Sequence, residues 1–118
     1  MKHSLPVIGI LMLLTVSHVA QAAVPCSSGD AYMQALCSFG QGDYSSAAQR
    51  FQAIADRGET SPETIKSIYF LARTDMKMRR WAEASSLLTR IYSMAPGFYR
   101  EWNCDFLLGQ CRHALGKD

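Results

Sequence analysis

No Cys-x-x-Cys pair occurs in this 118-residue chain, which excludes a thioredoxin-like redox motif and the paired knuckles of common zinc sites. Histidine is scarce: after residue 18 only His113 remains, so neither a metal nor a cofactor is expected. There is no glycine-rich phosphate loop and no nucleophile elbow. Charge of one sign is also lacking. Twelve Lys+Arg against ten Asp+Glu, a net +2, is too even for electrostatic nucleic-acid binding. Four prolines and eight glycines are scattered, which rules out collagen-like or low-complexity material. No run of four or more residues past the N-terminus alternates in the manner of a half-buried strand. What is present is an ordinary globular composition, 48% hydrophobic and 19% charged, at a length that allows one domain.

The N-terminus reads as a leader. Lys2 precedes the apolar run from Pro6 to Val16, and Ala20-Gln21-Ala22 places small residues in the A-x-A arrangement. A short positive end, an apolar stretch and a small-residue cut site make a secretory signal peptide. Residues 1–22 are therefore read as removed and 23–118 as the domain. The alternative, a retained anchor, is opposed by an apolar stretch shorter than the roughly 20 residues that span a bilayer. Lipid attachment at Cys26 is opposed by Pro25, which stands where a small residue is needed. The expected destination is exported, the periplasm before the medium.

Cys26, Cys37, Cys104 and Cys111 all lie after the cut. An even number of cysteines in a small exported chain predicts two disulfides. Pairing stays open. Cys104 and Cys111, seven apart on one helix, would sit roughly 10.5 Å apart along the axis, beyond the ~7 Å between Cα atoms that a disulfide spans. A Cys26–Cys37 bond needs the N-terminal segment to fold back along the first helix.

Residues 23–118 read as all-α. From Asp43 to Arg57 the apolar positions Tyr44, Ala47, Ala48, Phe51, Ile54 and Ala55 step by three and four, one helical face. Asp43 can cap its start and Gly58 can turn its end. Ser61-Pro62-Glu63 supplies a cap, an initial proline and a first-turn acid for a helix to about Met78. Trp81, Ala84, Leu88, Ile91 and Ala95 form the next stripe, stopped by Pro96-Gly97. Further helices are predicted over about Ser28–Gly40 and Phe98–Leu115. A shift of 37 residues aligns Tyr32 with Tyr69 and Phe106, Ala35 with Ala72 and Gly109, and Gly42 with Arg79 and Gly116. It also aligns Tyr44 with Trp81, Ala47 with Ala84, Phe51 with Leu88, and Ile54 with Ile91. Such recurrence is the mark of stacked hairpins that cannot bury their apolar faces alone.

On these residues the chain resembles the tetratricopeptide repeat family. Gly42-Asp43-Tyr44 with Ala47, Phe51 and Ile54 is similar to the second half of its motif. Ile68, Leu71, Ala72, Trp81, Ala84, Leu88, Ile91 and Pro96 look like a fuller copy, and Phe106-Leu107-Leu108-Gly109 like the opening of a third. The departures are a step of 37 against about 34 residues, and Arg79 in place of glycine. The resemblance implies antiparallel helical hairpins stacked as a short solenoid of about two and a half repeats, over 28–61, 62–97 and a terminal helix 98–116.

It also implies a concave groove lined by the first helix of each repeat, binding a peptide or helix of another protein. By spacing, that groove takes Tyr32, Leu36 and Phe39 from the first helix. Tyr69, Arg73 and Met76 come from the second, and Phe106, Gln110 and His113 from the third. Arg73 is the expected anchor for a carboxylate. The basic cluster Arg73, Lys77, Arg79 and Arg80 reads as compensation of a helix end. Glu101 and Asp105 read as solvated acids. Cys111 and His113 are two apart on a helix and point apart, so no catalytic residue is expected. The function implied is a non-catalytic adaptor or assembly factor for an envelope machine such as a secretion system or pilus. Two alternatives stand beside it: a self-associating structural subunit and a small secreted Cys–His enzyme.

Overall fold

The computed structural model describes residues 3–4 and 24–117; the leader reading of residues 1–22 lies outside them, His3 and Ser4 excepted. Among the described residues six helices follow in order: α1 Ala31–Gly40, α2 Tyr44–Ala55, α3 Pro62–Lys77, α4 Trp81–Met94, α5 Pro96–Glu101 and α6 Cys104–Ala114. No strand occurs among the described residues. Side-chain oxygens satisfy the first free N–H groups of three helices: Asp30 accepts from Met33, Asp43 from Ser46 and Ser61 from Thr64. Pro62 occupies the first turn of α3, where its missing N–H costs nothing. Neighbouring helices pack in sequence, α1 on α2, α2 on α3 and α3 on α4, which is the stacking of helical hairpins.

The 37-residue register holds through two repeats. Ala35 and Ala72, Ala47 and Ala84, Phe51 and Leu88, and Ile54 and Ile91 are all buried. The alanines lie where helices approach closely, and the larger chains fill the layers between hairpins. The turns repeat too. Gly42, Arg79 and Gly116, aligned by the same shift, all take positive φ, at 76°, 60° and 72°. A left-handed backbone is free for glycine but costs an L-residue roughly 1–2 kcal/mol. Arg79 is exposed, so no packing depends on its side chain. Arg79→Gly is therefore expected to raise stability by about 1 kcal/mol. Its thermal midpoint should rise by roughly 4–8 °C in a domain of this size, and a drop on melting would contradict the strain.

The third repeat departs from the pattern. The continuous helix expected over 98–115 is broken into α5 and α6 at Trp102–Asn103, where Asn103 adopts φ 51°. Pro96 ends α4 as expected and also opens α5 in the same stroke. Trp102 stacks on Phe98 at 4.6 Å and meets the Tyr69 ring edge-on at 5.0 Å. The break lets α6 lie against α4 and α5 against both. Tyr99 fastens the bend, its hydroxyl donating to Asp105 Oδ1 at 2.6 Å.

One of the two expected disulfides forms. Cys26 and Cys37 are bonded, with Cα atoms 5.6 Å apart, and the N-terminal segment folds back along α1 to allow it. Cys104 and Cys111 are free thiols, which corrects the expectation of four oxidised cysteines. Both sit on α6, two turns apart and fully buried, so the helix that carries them also holds them apart.

Candidate functional site

Arg73 projects from α3 among aromatic rings of α1 and α3. Its guanidinium lies over three rings, 5.3 Å from Phe39, 5.6 Å from Phe70 and 5.8 Å from Tyr69. Cation–π attraction to each ring face, together with packing of the stem, fixes the head group in place. Beside it opens a cavity of about 300 Å³ lined by Arg73, Met76 and Lys77 of α3, Trp81 of α4, and Leu107 and Gln110 of α6. Two cations over an apolar floor can take a segment carrying an acidic or carbonyl group next to an apolar side chain.

Three of the nine residues expected in the groove therefore line one cavity: Arg73, Met76 and Gln110. The others are placed differently. Tyr32, Leu36 and Phe39 pack against the core of the first hairpin, with Tyr32 edge-on to Phe51 and Phe70 at 6.2 and 6.4 Å. Tyr69 is buried in the second core. These rings join one hairpin to the next and present little face to solvent. Phe106 is the reverse, 67% exposed, because Trp102 has taken the place against Tyr69 that the repeat register assigned to it. His113 is exposed on the last turn of α6. Trp81, Lys77 and Leu107 had no place in the sequence-based site. Trp81 was legible only as a core stripe residue, and the gap between α3 and α6 depends on the break at Asn103.

The free thiols are poor nucleophiles. Burial, and after it the Asp105 charge, pushes Cys104 up to about 11. Burial also raises Cys111, against a smaller opposing effect of the Ser85 hydroxyl. The thiolate is the reactive form, so both should resist alkylation near pH 8 in the native protein. Thiol titration is expected to count none in native protein and two after denaturation without reductant. Fast labelling of either in native protein would restore a reactive cysteine. Cys37 is held in its disulfide. Among the described residues no group of three or more His, Cys, Asp or Glu could hold a metal ion.

The pattern of one family, described as anaphase-promoting complex, cyclosome, subunit 3, matches residues 14–91. That span covers the first hairpin and the second as far as Ile91 in α4. The chain belongs to this family of tetratricopeptide-like repeats. The family assignment and the all-helical stacking agree, and members of such repeat families generally work as protein-interaction modules without catalysis. No curated protein and no solved structure matches the chain. No described helix is long and apolar enough to cross a membrane.

Proposed function

We propose that this member of the subunit 3 family is a non-catalytic adaptor or assembly factor that holds a segment of a partner protein between α3, α4 and α6. The observation that carries this reading is the cavity beside Arg73, where a cation locked over three rings meets an apolar floor. A preorganised cation loses less freedom on binding than a mobile one. The family's description as a subunit of a complex favours work within an assembly. The leader-like residues 1–22 and the Cys26–Cys37 disulfide favour export to an oxidising compartment, the periplasm, and service there to an envelope machine such as a secretion system or pilus.

Because Arg73 also packs the hairpins together, the test uses neighbours that are exposed. Capture from an envelope fraction by the intact protein is compared with capture by Lys77→Ala and Gln110→Ala, each verified by its melt. A partner retained by the parent and lost at least tenfold by the pair supports the cavity. Equal capture places the binding surface elsewhere. The intact mass of the exported protein should correspond to a chain beginning at Ala23. One observation favours a second reading, self-association through the terminal helix: Phe106 is exposed beside Gly109, around whose Cβ position the space is open. Light scattering at rising concentration separates the two.

A further inference from the structure

Asp75 breaks the apolar face of α3. Leu71 and Ala72, one turn before it, are core residues, and Asp75 shares their face with only 6% of its surface exposed. No hydrogen bond or ion pair reaches its carboxylate among the described residues. The charges acting on it are those of Arg80 and Glu83. A carboxylate this buried, with no hydrogen bond to offset its desolvation and only the Arg80 charge in its favour, is costly. This one borders a cleft of about 530 Å³ between α2, α3 and α4. The cleft floor is apolar at Ala48, Leu71 and Leu87, and Glu83 adds a second carboxylate at the rim. Around a helix of 3.6 residues per turn, Arg73 and Lys77 lie roughly 160° from Asp75 and Met76 roughly 100°, so this cleft opens on a different face of α3 from the groove.

We propose that the cleft is a second binding site, taking the ammonium or guanidinium head of a lysine or arginine side chain from a partner segment against the Asp75 carboxylate. The methylene stem lies along Leu71 and Leu87, while the head donates charge-assisted hydrogen bonds to the Asp75 carboxylate and sits in the field of Glu83. Arg80 opposes the incoming cation but stands at the exposed rim of the cleft. Burial raises the Asp75 carboxyl above the usual carboxylate range, the Arg80 charge lowers it and the Glu83 charge raises it. A bound cation would pull it back down, so binding should weaken as the pH falls and Asp75 takes up a proton.

The test is a backbone-amide NMR titration of the folded protein with the end-capped tripeptides Gly-Arg-Gly and Gly-Lys-Gly. The uncharged isostere Gly-citrulline-Gly serves as control. Saturable shifts at Gln49, Asp75, Glu83 and Ser86 are expected with both basic peptides, weakened at least tenfold with citrulline. Asp75→Asn should abolish them while keeping or raising the melting temperature, since it removes a buried charge. Glu83→Gln, on the exposed rim, should weaken them two- to threefold and keeps the test decisive if Asp75→Asn misfolds. Equal shifts with arginine and citrulline, an unaffected Asp75→Asn, or shifts confined to Lys77 and Gln110 would overturn the site. The last result would leave the groove standing without this cleft.

Discussion

Phe51→Ala is expected to destabilise the fold by about 3–5 kcal/mol, a large share of the roughly 5–15 kcal/mol that holds a domain together. Phe51 is fully buried. Its ring stacks on Phe70 at 5.7 Å with 16° between planes, and Tyr32 meets it edge-on at 6.2 Å. Those partners come from α3 and α1, so the one side chain joins the first hairpin to the second. Truncation removes the transfer free energy of the ring and leaves a void that three helices cannot close together. Urea unfolding of parent and variant gives the difference directly. A loss below ~1 kcal/mol would mean that the hairpins are held by something other than this layer.

The same layer explains why so much of the fold was legible. Helix starts were marked by Asp43 and Ser61, and both cap as the sequence implies. The spacing of Phe51 with Leu88 and Ala47 with Ala84 is a packing requirement, so it survives in the sequence as a repeat. Arg79 shows the limit of reading residue types. A turn needing left-handed backbone sits there without the glycine that would announce it, and only the register to Gly42 and Gly116 exposes it. The break at Trp102–Asn103 was illegible for a different reason. No proline or glycine marks it, and a single asparagine tolerates the left-handed conformation without signalling it. The competition between Trp102 and Phe106 for the face of Tyr69 is tertiary, and periodicity within one helix cannot decide it.

The site was legible in part for related reasons. An aromatic recurring at one register serves a groove or a seam equally well, and Tyr32 and Tyr69 serve the seam. Arg73 was marked by its place among them, and its three ring contacts follow from that place. Asp75 carried a signal that helical phase could have found: a carboxylate three and four residues after Ala72 and Leu71 lies on the buried face. Its cleft draws on α2 and α4 as well, and no single helix reveals such a convergence.

Loss of the Cys26–Cys37 bond, by reduction or by Cys26→Ser with Cys37→Ser, is expected to cost about 2–4 kcal/mol. The bond closes a short loop, its cysteines 11 residues apart in sequence, and much of its effect comes from restricting the unfolded chain. The folded side adds to it. Gln41 donates to the Val24 carbonyl at 2.6 Å, Gln34 to that of Gly29 at 3.0 Å, and Arg50 reaches from α2 to the Cys26 carbonyl at 2.9 Å. These bonds hold an irregular segment with few apolar contacts of its own, so they hold only while the disulfide keeps the segment near α1. Reduction should therefore lower the melting temperature and expose the stretch before Asp30 to proteolysis, while α3 and α4 stay protected from hydrogen exchange at moderate temperature. Replacing Cys104 and Cys111 by Ala should leave the effect of reductant intact, because neither is bonded. Protein isolated under oxidising conditions should yield a cross-linked peptide joining Cys26 to Cys37. Four alkylatable thiols, or a link from Cys26 or Cys37 to α6, would remove this staple from the account.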